Sequence, residues 1–116
     1  MRRDMDFIRE ILMATEANRE IDSTGFSSEE VWNHVRLLKD EGYIDALVAA
    51  HAEPYGFQIF ALTWKGHEFL DAMRDDTLWK KAKEKFLKPG MSWTAGVLFE
   101  WLKAEIKQRF MGGTSG

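Results

Sequence analysis

The strongest constraint on this chain is the punctuation between residues 27 and 70. Ser27 offers an N-cap oxygen and Glu30 stands three residues later, the spacing at which each side chain satisfies the other's backbone donor and starts a helix. From Ser28 to Glu41, Val31, His34, Val35 and Leu38 share one helical face, and Glu29, Asn33, Arg36 and Asp40 share the opposite one. Gly42 is placed to end that helix in a left-handed cap. Tyr43 to Ala50 is rich in strand-compatible residues, and Gln58 to Thr63 alternates Ile59 and Ala61 against Phe60 and Leu62. Between them Glu53-Pro54-Tyr55-Gly56 has turn composition, so the two strands pair as a β-hairpin. Thr63 then caps a further helix, with Phe69, Leu70 and Met73 inward and Lys65, Glu68 and Asp75 toward water.

Helical patterns flank this centre. From Asp4 to Ala17, Met5, Ile8, Leu12 and Thr15 recur at helical spacing with Ile11 beside them, while Asp6, Glu10, Met13 and Ala17 fall opposite. Asn18 to Phe26 is polar and holds Ser23-Thr24-Gly25, which suits a short connector. After Asp75-Asp76, where a kink is expected, Leu78, Trp79, Ala82 and Phe86 share one face up to Lys88. Pro89-Gly90 breaks the chain, Ser92 offers a cap, and a last helix runs to about Phe110. Residues 111–116 read as a flexible tail. The expectation is a mostly α chain with a small β-hairpin, of α+β class, in which residues 1–110 form one domain.

At 116 residues, 45% hydrophobic and 30% charged, the chain suits a single packed core. It has no cysteine, which excludes disulfide scaffolds, thiolate metal sites and cysteine nucleophiles. Acidic residues follow Met1-Arg2-Arg3 at once, and no apolar run approaches 20 residues, so neither a secretory signal nor a membrane span is expected. A cytoplasmic setting with no membrane partner is the simplest expectation.

The order helix, connector, helix, glycine, strand, turn, strand, helix resembles a winged helix-turn-helix with a reduced second helix and extra C-terminal helices. In many winged-helix proteins the reading helix ends in Gly-aromatic-Ile, as in Gly42-Tyr43-Ile44, and the wing closes with Leu-Thr-x-x-Gly, as in Leu62-Thr63-Trp64-Lys65-Gly66. The opening Met1-Arg2-Arg3-Asp4-Met5-Asp6-Phe7-Ile8-Arg9, the middle His34-Val35-Arg36-Leu37-Leu38, and Leu62 to Asp71 with Arg74-Asp75-Asp76-Thr77 are similar to the domain-of-unknown-function family 2513. This resemblance covers nearly the whole chain. It implies a winged-helix-like protein of bacteria and prophages and carries no activity onto particular residues.

The residues themselves show no catalytic constellation. His51-Ala52-Glu53 is like the His-x-Glu of zinc deaminases, but the further ligands those sites need are missing. His67-Glu68 begins like a His-Glu-x-x-His zinc motif, yet Asp71 stands where the second histidine would be. His34, at the edge of an apolar stripe, reads as a hydrogen-bonded core-edge residue. Ser27 and Ser92 are accounted for as caps, and neither Gly-x-Ser-x-Gly nor a phosphate-cradling loop is present. No enzyme, cofactor, metal or small-molecule ligand is expected.

Charge is divided along the chain. Residues 1–78 carry 8 Lys and Arg against 16 Asp and Glu, whereas residues 79–116 carry 8 against 3, within an overall net of −3. A DNA-reading winged helix places its third helix in the major groove and grips backbone with its wing, so carboxylates there repel phosphate. The face with Glu29, Glu30 and Asp40 and a wing lacking Lys and Arg therefore weigh against groove reading. Asn33 and Arg36 remain candidates for base edges, and Arg2, Arg3 and Lys39 for phosphates. Lys80, Lys81, Lys85 and Lys88 form a candidate basic patch, whose simpler explanation is a solvated face over Trp79, Ala82 and Phe86. Trp93, Val97, Trp101, Leu102, Ile106 and Phe110 give the last segment so wide an apolar girth that a partner, foremost a second copy, is expected to cover it. The leading expectation is a non-catalytic module acting by protein–protein contact and self-association through this helix. The alternative is a DNA-binding transcriptional regulator.

Overall fold

The structure, a computed structural model, describes residues 3–50, 54–86 and 94–115, with side chains in the last helix described to residue 108 apart from 95. The described residues form a mostly helical α+β chain of five helices and one two-stranded antiparallel sheet: α1 (Met5–Ala17), α2 (Ser28–Asp40), β1 (Ile44–Val48), β2 (Phe57–Leu62), α3 (Trp64–Met73), α4 (Asp76–Phe86) and α5 (Ala95–Ser115). No helix among them is long and apolar enough to cross a membrane. The chain divides into two compact units, Met1–Leu70 and Asp71–Gly116.

Local chemistry sets the helix ends. The Asp4 side chain caps α1 by accepting from Phe7 N–H at 3.0 Å, and Asn18 closes it in the left-handed conformation at φ 54°. Ser27 and Glu30 form the expected capping box on α2: Glu30 N–H donates to Ser27 Oγ at 3.1 Å, and Ser27 N–H donates to Glu30 Oε1 at 2.9 Å. Gly42 takes φ +81°, the left-handed geometry that favours glycine after a helix. The connector from 19 to 27 holds a turn at Thr24-Gly25 and no helix.

The first unit buries Ile8, Ile11 and Leu12 of α1, Val35 and Leu38 of α2, and Ile44, Ala46 and Leu62 of the hairpin. Each fully buried large side chain contributes roughly 1.5–3 kcal/mol of transfer free energy. Two buried aromatics lie outside the expected stripes. Phe7 is buried because it stacks on half-buried Phe26 at a ring separation of 4.0 Å, and Trp32 is 5% exposed beside Tyr55 at 5.8 Å.

The hairpin corrects the expected alternation of β2. Ile44 pairs with Leu62 and Asp45 with Ala61, but Ala46 pairs with Ile59, so Phe60 is an extra residue in a β-bulge. Leu62 is buried and Ile59 half-buried, while Phe60 and Ala61 are both exposed.

The Leu-Thr-x-x-Gly segment clamps this turn to α3. Thr63 N–H donates to Tyr43 O at 3.1 Å, Thr63 Oγ1–H donates to Gly42 O at 2.6 Å, and Gly66 N–H donates back to Thr63 Oγ1 at 3.1 Å. A Cβ on Gly66 would overlap the Tyr43 carbonyl oxygen, so only glycine permits this approach. The motif is thus explained by packing.

In the second unit the kink expected near Asp76 is a break. Asp75 sits between α3 and α4 and caps α4, its Oδ1 accepting from Leu78 N–H at 2.9 Å. Leu78, Trp79 and Ala82 are buried, and α4 packs against α5 with the Phe86 and Trp101 rings edge to face at 5.5 Å. Thr94 caps α5 through Val97 N–H at 3.1 Å, a role expected of Ser92, which lies outside the described residues. α5 continues to Ser115, through most of the segment read as a tail.

Candidate functional site

On α2 the structure accounts for much of the acidic face. Glu30 belongs to the capping box, and the Ser27 backbone N–H, then the Ser27 hydroxyl, holds its carboxyl below the ordinary glutamate range. Glu29 accepts from the Tyr55 hydroxyl at 3.3 Å. Both acids also lie in the first turn, where the helix dipole favours negative charge. Arg36 is exposed, with its guanidinium carbon 4.9 Å from the Trp32 ring centroid, a cation–π arrangement. Asn33 is half-buried, Lys39 exposed and Arg3 half-buried, while Arg2 lies outside the described residues.

His34 is a structural residue. It is 1% exposed, its Nε2 accepts from Asp4 N–H at 2.9 Å, and its Nδ1 lies 2.7 Å from Glu30 O. Those partners assign the proton to Nδ1 and define a neutral ring, set edge-on to Phe7 and Phe26.

No group of three His, Cys, Asp or Glu side chains suited to a metal occurs among the described residues. Asp71, the neighbour expected for His67, pairs instead with Arg74 at 2.9 Å. His51 and Glu53 lie outside the described residues.

In the second unit Lys80, Lys81 and Lys85 are exposed, and Lys88 lies outside the described residues. Lys81, Glu84, Lys85, Trp101 and Glu105 line a shallow depression of about 380 Å³, where Lys85 Nζ sits 5.7 Å from the Trp101 centroid. The carboxylates within it weaken any field toward an anion. α5 is less available than its composition suggests: Leu102 is fully buried, Trp101 and Ile106 are half-buried, and Val97 is 50% exposed. Gly96, Glu100, Lys103 and Lys107 face water, and the side chains of Trp93 and Phe110 lie outside the described ones.

Exposed apolar area gathers elsewhere. Leu47 at 63%, Phe57 at 37%, Phe60 at 51% and Trp64 at 81% belong to the hairpin and its exit into α3, and they are four of the five exposed large hydrophobics among the described residues. Trp64 keeps its indole N–H satisfied by Glu68 Oε1 at 2.6 Å, so its ring faces water without an orphaned donor.

Alongside runs a groove of about 400 Å³, walled by Phe57, Gln58, Ile59 and Phe60 on one side and by residues of α1 and the connector, including Thr15, Arg19, Glu20 and Ile21, on the other. Arg19 holds the connector by bidentate bonds to Glu10 at 2.7 and 2.8 Å, and Asp22 N–H donates to the same carboxylate at 2.9 Å. The guanidinium beside Glu10 lowers its carboxyl below the ordinary range. Sequence reasoning missed this surface. The available signal was that Phe57 to Leu62 contains neither charge nor proline.

Comparison with known proteins places these features. Residues 2–92 match a family described as hypothetical protein DUF2513. The chain belongs to the DUF2513 family. It is 38% identical over 90 residues to an uncharacterised protein of Haemophilus influenzae (strain ATCC 51907 / DSM 11121 / KW20 / Rd), covering 72% of this chain and 76% of that one. No solved structure matches. The DUF2513 match spans α1 through α4, with the hairpin and its groove, and stops before α5.

Proposed function

We propose that this chain is a non-catalytic, winged-helix-like module of a bacterial or prophage-borne protein that works by protein–protein contact, its own copies included. In this reading α2 takes the place of the reading helix, β1 and β2 form the wing, and the connector after α1 replaces the second helix. The observation that carries the contact is that four of the five exposed large hydrophobics among the described residues, Leu47, Phe57, Phe60 and Trp64, belong to the hairpin and the start of α3, in a wing whose described residues hold neither Lys nor Arg. Large apolar side chains grouped at a surface mark interaction sites, whereas single ones are ordinary. The hairpin supports this reading better than α5, whose Leu102 is fully buried and whose outer face is mostly polar. Sedimentation velocity over a tenfold concentration range tests it: the wild type associates, Leu47→Lys weakens the association, and Trp101→Ala leaves it nearly unchanged. A strict monomer at every concentration overturns self-association, and sensitivity to Trp101→Ala alone returns the contact to α5.

A second reading, a DNA-binding regulator, is favoured by Arg36 and Lys39 standing exposed on α2 with Asn33 beside them. Fluorescence anisotropy with duplex DNA at low and physiological salt separates the two. Salt-sensitive binding abolished by Arg36→Ala promotes the regulator, because phosphate contacts release counterions.

A further inference from the structure

One edge of β2 is paired with β1 and the other is open. Ala49 N–H donates to Gly56 O at 2.8 Å, which makes these two a hydrogen-bonded pair. Along an antiparallel ladder such pairs alternate, so Leu47 and Gln58 form the next one, and the N–H and C=O groups of Phe57 and Ile59 point away from β1. No turn, loop or cap backbone hydrogen bond among the described residues engages Phe57 or Ile59. Both residues line the groove of about 400 Å³, whose facing wall is the end of α1 and the connector. That wall closes the edge to another sheet and leaves a slot for a single strand. From Phe57 to Ile59 a strand advances about 7 Å, so about three residues of an extended segment reach both outward positions. The six residues Phe57–Leu62 hold neither charge nor proline to guard the edge.

The facing wall selects the occupant by charge. Arg19 and Glu20 are the charged residues of the lining. Arg19 is neutralised by its bidentate pairing with Glu10, whereas Glu20 is exposed and its carboxylate enters no ion pair among the described residues. Ala14, Thr15 and Asn18 bring the C-terminal end of α1 to the same wall, and no basic residue in its last turn offsets the negative end of the helix dipole. Around the groove, residues 1–70 carry 13 Asp and Glu against 7 Lys and Arg. Each of these features favours a cation and disfavours a carboxylate. The chain's own lysine-rich stretch, Lys80 to Lys85, is folded within α4 and offers no free strand, so a different protein must supply one.

We infer that the groove beside β2 is a peptide-binding slot, in which an extended segment of a different protein, carrying lysine or arginine among apolar residues, adds to β2 as a third strand and sets a cation against Glu20. The apolar residues of that segment meet Ile21, Val31 and Ile59 of the lining. The inference rests on the protein-contact reading above and names a partner chemistry for it. Leu47 and Trp64 lie outside the lining, so the slot does not require self-association.

Fluorescence anisotropy on the full-length chain, with a fluorescein-labelled peptide of alternating valine and lysine as long as the six residues of β2, tests the inference. The expected result is saturable binding that weakens with salt, with the same peptide carrying glutamate in place of lysine bound about tenfold or more weakly. Glu20→Gln weakens binding of the lysine peptide about threefold, the scale of one exposed ion pair. Phe57→Pro removes an outward donor at the first position of the strand, where proline is tolerated, and weakens binding about tenfold with the circular dichroism spectrum of the wild type. At saturating peptide, amide hydrogen exchange of the ¹⁵N-labelled chain slows by about tenfold or more at Phe57 and Ile59 and is unchanged at Gln58, already in the ladder. Lysine and glutamate peptides that bind alike overturn the basic partner. Binding that leaves Phe57 and Ile59 in fast exchange overturns strand addition, and no binding of the lysine peptide overturns the slot itself. Self-association is read from the mass of the peptide-free chain, so its failure and that of the slot are told apart.

Discussion

Gly66 and His34 show how single residues hold the first unit together. The Gly66→Ala variant drives a methyl group into the Tyr43 carbonyl, and urea denaturation is expected to show a loss of about 3 kcal/mol, in the range of overpacked sites. An unchanged denaturation midpoint would mean that α3 does not approach the turn so closely. His34→Ala leaves the Asp4 N–H without its acceptor and opens space beside Phe7 and Phe26, for an expected loss of about 2–4 kcal/mol by the same measurement. The importance of Leu-Thr-x-x-Gly was legible in the residues, but its reason was not, because Tyr43 lies 23 positions before Gly66 and only folding brings them together. His34 was readable as a core-edge histidine because helical spacing alone places it beside Val31, Val35 and Leu38. Trp32, one position outside that stripe, was not, since its burial accompanies a ring contact with Tyr55 across the hairpin.

At the scale of elements, features set by neighbours in sequence were legible and features set by pairing were not. The capping box of α2 and the left-handed Gly42 follow from a few consecutive residues. The bulge at Phe60 depends on which residue of β1 faces which residue of β2, and no period in β2 alone reports it. It is also what leaves Phe60 and Ala61 exposed together, and hence part of the candidate surface. The connector after α1 gives a pH test. The Arg19 guanidinium lowers the folded-state pKa of Glu10, so the bridge stabilises the fold above the ordinary glutamate value of 4.5 and fades as pH falls through the lowered value. Thermal melts of wild type and Glu10→Gln are expected to differ at neutral pH and to converge on acidification. A gap that persists at low pH would show that the bridge adds no stability.

For the whole molecule, the division of charge read from the sequence has gained a structural setting: an acidic N-terminal unit whose strand β2 is uncharged and whose hairpin exposes large apolar side chains, and a C-terminal unit of α4 and α5 with exposed lysines. The apolar girth of the last helix pointed to α5 as the contact, because composition cannot show that Leu98, Phe99 and Leu102 are already buried. The hairpin, read from the sequence as a wing without Lys or Arg, carries exposed rings that the sequence reading did not single out. Static light scattering of the full-length chain over a tenfold concentration range, repeated at low and high salt, tests the central claim most directly. The expected mass rises toward twice that of one chain and rises further with added salt. A mass that stays at one chain under every condition, or an association that salt dissolves, contradicts an apolar hairpin surface joining two copies.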